Sequence, residues 1–356
     1  MSHPNPCSTP DTTSGRRVRT APVLRTYTLV AYRHPLLIAG GTAETVTLMK
    51  VLQLANNNPP FHTQQVEGLR DRGVDLDVLM VGGSFDIGDE AEQRRSPWDY
   101  LRFYPRVLRH VLQGYDLVHA NYGLTAPFAL AQPVRTPVVL TLWGSDLEHW
   151  PRLSTLCSRL SNRVIVMNDE MVSRVPGESV VIPFGVDLDL FEPIDRQAAR
   201  ERLGWKTDDY HALFPYAKSR PVKNYPLAER VVKQANDVVD GRIHLHAIND
   251  VAHDEMPYYY NASNVLLLTS HNEGSPTSVK EAMACNLPIV SLDVGDVRKR
   301  LSAVDGSFVC EDESQLVEKT VETVRDYDRT AGRSHADEFS FENSIGEILE
   351  VYRSVA

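Results

Sequence analysis

The sequence predicts an α/β fold of parallel strands, and three stretches predict it. Leu266–Arg300 (LLLTSHNEGSPTSVKEAMACNLPIVSLDVGDVRKR) runs strand, polar loop, helix, strand, loop. Met49–Val81 has the same rhythm, with a strand at Met49–Asn56, an amphipathic helix at Phe61–Arg72 closed by Gly73, and a strand at Val74–Val81. Tyr115–Ala129 reads strand, loop, helix, with His119, Asn121 and Gly123 at the turn, and Pro137–Leu142 is the next strand. Strands alternating with helices build parallel sheets whose ligands sit at the carboxyl ends of the strands. At 356 residues and 42% hydrophobic, the chain can bury two cores of ordinary domain size.

Composition removes several classes of function. A formal charge of −10 argues against general nucleic-acid binding, so any basic surface is local. The four cysteines (Cys7, Cys157, Cys285, Cys310) have no C-x-x-C spacing and read as buried thiols in a reducing compartment. No apolar run approaches the roughly 18 residues of a membrane-spanning helix. Ala21–Ala39 contains Arg25, Arg33 and His34, so it is no signal-peptide core, and a cytoplasmic protein is expected. Residues 1–48 differ from the rest. Pro, Ser and Thr dominate their beginning, basic residues exceed acidic ones, and no period emerges. An extension that is disordered, or not translated because synthesis starts at Met49, is the expectation for them. Gly40-Gly41 lacks the strand–loop–helix context of a phosphate loop.

The chemistry is concentrated in the first stretch. A strand at Val265–Thr269 breaks into the turn Ser270–Gly274, and a helix is expected to restart with Ser275 as N-cap and Pro276 at the first helical position. It stops near Asn286, and Pro288 opens the strand Ile289–Leu292. Gly274 permits close backbone approach, and the amides of Thr277 and Ser278 at the helix start can bind a phosphate. Glu273 precedes those amides, and Glu281 lies one turn inside the helix on the same face. That set suits phosphates held between two hydroxyl-bearing rings, as in a nucleotide sugar. Without further context, two glutamates at this spacing are usually solvated helix charges.

Glu273-Gly274-Ser275-Pro276-Thr277-Ser278-Val279-Lys280-Glu281-Ala282, continued by Asn286-Leu287-Pro288-Ile289-Val290, resembles the E-x7-E signature of retaining glycosyltransferase family 4. The resemblance covers residues 49–356. It implies the GT-B architecture, two Rossmann-like domains facing across a cleft: an acceptor domain at 49–188, a nucleotide-sugar domain at 189–338, and a terminal helix at 339–356 that returns to the first domain. By the same resemblance Glu273 contacts the donor sugar, Glu281 holds the ribose, and Gly274, Ser275, Pro276, Thr277 and Ser278 hold the diphosphate. In the basic loop Ala217–Leu227, Lys223 matches the lysine that neutralises the diphosphate, while Arg220 or Lys218 matches the arginine. Val251 begins the segment that touches the nucleobase. Asn58, His119, Asn121, Trp143 and Asp146 fall on loops lining the acceptor side, and Trp143 stands where many members carry histidine. An indole there can stack on a sugar ring.

Other patterns have plainer readings. Asp75-Leu76-Asp77 alternates along a strand, and Asp187-Leu188-Asp189 reads as a turn, so neither is taken for a metal motif. His244 and His246 share a strand face with no third ligand, which reads as a structural pair. No metal and no cofactor are expected; the nucleotide sugar is substrate. Residues 94–112 interleave aromatic and aliphatic residues with Arg94, Arg95, Arg102, Arg106 and Arg109, which suits either a packed surface helix or contact with an anionic membrane. The expected activity is retaining, metal-independent sugar transfer from a nucleoside diphosphate sugar to an acceptor hydroxyl of a lipid-linked or glycan substrate, with Glu273, Arg220 and Lys223 as catalytic residues. A catalytically silent nucleotide-sugar-binding subunit of the same fold is the alternative; donor hydrolysis separates the two.

Overall fold

The computed structural model describes residues 49–56, 60–82 and 96–356. The extension at 1–48, Asn58, Arg94 and Arg95 lie outside the described residues.

Eleven strands among these residues form two wholly parallel sheets. The first contains β1 (Met49–Ala55), β2 (Val74–Met80), β3 (Leu117–Ala120), β4 (Val138–Thr141), β5 (Arg163–Val166) and β6 (Ser179–Val181), in the order β2-β1-β3-β4-β5-β6. The second contains β7 (Tyr210–Phe214), β8 (Ile243–Ala247), β9 (Val265–Leu268), β10 (Ile289–Leu292) and β11 (Phe308–Cys310), in the order β11-β10-β9-β7-β8. The central strands carry short runs such as VLLL and VVLT that are buried at every position, because helices cover both faces of each sheet. Strand order reverses between β1 and β3 and again between β7 and β9. Two such sheets, each with a switch point, make the GT-B fold.

Three clusters of apolar side chains pack the helices onto the two sheets. One surrounds the first sheet, and two flank the second. The first includes Ile345, Ile348, Leu349 and Tyr352 from the helix Phe341–Val355, so the final helix of the chain packs in the first domain. The chain therefore crosses between the domains twice, and the crossings touch. Val186 N–H donates to the Phe339 carbonyl at 2.9 Å, and Phe341 N–H donates to the Val186 carbonyl at 2.8 Å. Gly185 makes this approach possible: a Cβ there would lie 2.5 Å from Phe341 Cα and 2.6 Å from the Ser340 carbonyl oxygen.

Asp75 and Asp77 are the exposed positions of β2, and Asp187 Oδ1 accepts the amides of Asp189 and Leu190 at 3.0 Å, a turn contact. His246 hydrogen-bonds His211 at 2.8 Å between ring nitrogens and lies 3.7 Å from the Trp205 ring centroid. Among the described residues no group of three or more His, Cys, Asp or Glu is arranged to hold a metal ion.

Candidate active site

The switch point of the second sheet places two loops side by side. β7 runs into Pro215–Lys223 and β9 into Thr269–Pro276. There Lys223 Nζ donates to Glu273 Oε1 at 2.5 Å, with the side chains only 8% and 11% exposed. Ser270 Oγ donates to the same oxygen at 2.6 Å. Burial lowers the pKa of Lys223, and the Glu273 carboxylate opposes that shift. The ring of Tyr216 lies under the ammonium, 3.9 Å from Nζ to centroid, and the tyrosine hydroxyl meets Ser278 Oγ at 2.5 Å. Glu273, Lys223 and Ser278 are thus joined through one aromatic side chain. Arg220 and Lys218 stand exposed at the rim, Arg220 at 5.9 Å from the Tyr216 centroid and Lys218 at 4.7 Å from that of Tyr225.

The helix after this loop is Thr277–Ala284, one residue shorter at its start than expected, with Pro276 rather than Ser275 at the N-cap. Ser275 caps nothing because its hydroxyl donates to Asp296 Oδ2 at 2.7 Å. That leaves the helix start with no side-chain cap, which suits a site for an anion. Gly295, at φ +58°, presses its loop onto the same segment: a Cβ there would sit 2.4 Å from the Gly274 carbonyl oxygen. Glu281 lies one turn in, accepts the Tyr260 hydroxyl at 2.5 Å, and has its pKa raised by burial. Val251 lies partly exposed in the loop after β8.

On the first-domain side, three expected residues, His119, Asp146 and Asn121, belong to the interior. His119 lies inside β3 rather than at the following turn and is fully buried. Its Nδ1 meets the Tyr352 hydroxyl at 2.6 Å and its Nε2 meets Thr141 Oγ1 at 2.7 Å. Burial depresses its pKa to about 3, which favours the neutral ring. Asp146 is also fully buried; it accepts the amides of Gly123 at 2.9 Å and Trp143 at 2.6 Å, tying the β3 and β4 loops together. Burial raises its pKa to about 6 against the pull of those amides. Asn121 is buried as well, donating to Gln65 Oε1 at 3.3 Å, and its carbonyl accepts the Trp143 indole N–H at 3.0 Å. Trp143 itself is half-buried. With Phe61 and Phe184, at centroid distances of 5.2 and 6.4 Å, it forms an aromatic wall at the carboxyl end of the first sheet.

The two sides meet at Gly274. Its carbonyl accepts Asn168 Nδ2 at 2.6 Å, and a Cβ on it would lie 3.1 Å from the Trp143 carbonyl. Asn272 bonds Glu148, and Lys299 Nζ reaches Asp169 at 2.7 Å, so with Asn168–Gly274 three hydrogen bonds join the second domain to the first here. Sequence reasoning missed Tyr216, Tyr260 and Asn168. Only Asn168 carried a legible signal, as the N-cap of the helix Asp169–Arg174, where its Oδ1 accepts Met171 N–H at 2.9 Å.

Known proteins resemble this chain in sequence and in fold. A sequence profile described as glycosyl transferases group 1 matches residues 224–326. The D-inositol 3-phosphate glycosyltransferase of Geodermatophilus obscurus is 27% identical over 371 aligned positions, which cover 81% of this chain and 82% of that protein. Sucrose-phosphate synthase of Thermosynechococcus elongatus superposes with a TM-score of 0.70 at 17% identity, covering 86% of this chain and 98% of that one. Anabaena HepE in complex with UDP and glucose gives a TM-score of 0.66 at 16% identity, covering 86% of this chain and all of that one (100%). The chain is a GT-B protein whose second domain matches glycosyl transferases group 1 across residues 224–326.

Proposed function

We propose that the protein is a retaining glycosyltransferase of family 4, transferring a sugar from a nucleoside diphosphate sugar to an acceptor hydroxyl. The observation that carries this reading is the Lys223–Glu273 pair beside the uncapped helix start at Thr277 and Ser278. Glu281 a turn away suits the ribose, Glu273 the sugar, and Lys223 and Arg220 the diphosphate. As the anomeric C–O bond breaks, its electron pair leaves with the diphosphate, and the two cations face the charge that develops. Donors aimed at such charge act on the transition state more than on the bound substrate. The proton of the acceptor hydroxyl passes to the departing diphosphate oxygen, and this reading needs no protein nucleophile and no metal. The aromatic wall of Trp143, Phe184 and Phe61 lies on the acceptor side.

The test is a thermal-shift screen against UDP-, GDP- and ADP-sugars, with donor hydrolysis as a second readout. A ligand at a hundred times its Kd adds about 2.7 kcal/mol of stability. Glu281→Ala is the control. It removes a charged hydrogen-bond partner worth about 1.5–3 kcal/mol, so donor affinity should fall about ten- to a hundredfold with the fold intact. No shift with any nucleotide sugar would overturn the reading, and a shift with no hydrolysis would favour a silent binding subunit.

We further propose that the acceptor is reached at an anionic membrane surface. No helix among the described residues is long and apolar enough to cross a membrane. The helix Pro97–Val111 buries Phe103, Val107 and Val111 but leaves Trp98 (66%), Leu101 (59%) and, just past its end, Leu112 (65%) exposed beside Arg102, Arg106 and Arg109. Pro151–Leu160 exposes Leu156, Leu160, Arg152 and Arg159, and both helices pack on Ala126–Leu130. Apolar side chains among arginines are the composition of an interfacial surface. Sedimentation with phosphatidylglycerol vesicles, absent with phosphatidylcholine and lost in an Arg102/Arg106/Arg109→Glu triple variant, is the expected result. Equal sedimentation of the triple variant would remove the proposal.

A further inference from the structure

We infer that Tyr216 is a positioning residue that holds Lys223 toward the diphosphate at the moment Glu273 turns to the sugar. The inference rests on the donor-transfer reading above and concerns a residue with no place in the motif resemblance. Lys223 has two partners in the structure: the Glu273 carboxylate at 2.5 Å and the face of the Tyr216 ring at 3.9 Å. A glutamate that bonds a sugar hydroxyl cannot also satisfy the lysine fully. Once Glu273 is shared, the ring becomes the only one of these two partners still committed to the ammonium.

A buried ammonium with a weakened partner would otherwise lose its proton or swing toward solvent. The face of an aromatic ring carries negative potential, and its attraction for a cation strengthens when water is excluded. Contact with the face takes up no conventional lone-pair acceptor, so the N–H groups that point away from the ring remain available to phosphate oxygens. Tyr216 is itself held from three sides. Its hydroxyl meets Ser278 Oγ at 2.5 Å at the helix start, and its ring packs edge-on against Phe214 at 5.5 Å between centroids. Arg220 lies farther out over the same ring, at 5.9 Å. One side chain thus touches two of the loop's three cations, Lys223 and Arg220, and the start of the helix at Ser278.

The test compares UDP with uridine, and GDP and ADP with their nucleosides, by calorimetry. The ratio of the two affinities isolates what the diphosphate contributes. Tyr216→Phe keeps the ring and should hold the ratio within about threefold, whereas Tyr216→Leu should lower it about tenfold or more with nucleoside affinity unchanged. Phenylalanines of increasing fluorination at position 216 preserve size while weakening the ring face, and the ratio should fall stepwise; this series stands if the leucine variant fails to fold. A ratio unchanged across the fluorinated series overturns the inference, as does equal loss for UDP and uridine, or a phenylalanine variant as impaired as leucine. If the parent protein binds no nucleoside diphosphate more tightly than its nucleoside, the donor-transfer reading itself fails.

Discussion

Lys223→Ala is expected to lower turnover of the donor by about 10²–10³-fold, the range seen when one donor aimed at developing negative charge is removed. The variant also strands a carboxylate. Glu273 is 11% exposed at its side chain, and Lys223 is its ion-pair partner at 2.5 Å. Breaking a buried pair by removing one member costs about 3–5 kcal/mol, more than the intact pair contributes over a neutral replacement. A drop in melting temperature is therefore expected together with the loss of turnover. Adding Glu273→Gln separates the two effects: the double variant should regain most of the lost stability and none of the activity. Donor hydrolysis that survives in the single variant within a fewfold would remove Lys223 from the chemistry, whatever happened to stability.

Gly185→Ala should be severely destabilising for the addition of a single methyl group. Its Cβ would meet Phe341 Cα at 2.5 Å, Ser340 O at 2.6 Å and Phe341 N at 2.7 Å, all main-chain atoms that no rotamer change can move. Relief requires the two crossings to separate, which breaks the hydrogen bonds at Val186 and Phe341. Overpacking costs about 1–3 kcal/mol, and each lost hydrogen bond adds about 1 kcal/mol, so a loss of about 3–5 kcal/mol is expected. For domains of this size that is about 10 °C in Tm by scanning calorimetry. Gly346→Ala supplies the contrast. It lies in the helix Phe341–Val355 with nothing within 4 Å of its Cβ, and alanine in a helix should hold or raise stability. Equal Tm values for both variants would mean that the crossings separate freely.

The fold was legible because its signal is periodic and local. Runs such as VLLL at β9 and IVSL at β10, separated by a helix with small residues and stopped at Asn286 (φ +55°), declare a parallel unit within a short window. That Glu273 and Glu281 flank the start of one helix was legible because the segment that carries them is compact in sequence. His119 was misplaced for the opposite reason. A polar residue near a turn looks exposed until Thr141 on the next strand and Tyr352, 233 residues onward, are seen to satisfy it. Tyr216 was invisible in the same way. A tyrosine after a strand carries no pattern, and its meaning comes from Lys223 and from Ser278, 62 residues away.

The return of the last helix to the first sheet has a consequence for how the protein is made. Ile345, Ile348, Leu349 and Tyr352 complete a core whose strands begin at Met49, and the whole second sheet lies between them in the chain. On a ribosome, the domain begun first is finished last. While the second domain is being synthesised, the first one waits with an open apolar face where that helix will sit and with His119 lacking its Tyr352 partner. Chaperone binding to stalled nascent chains should therefore persist after residue 338 has emerged and end only once the segment through Tyr352 has left the exit tunnel.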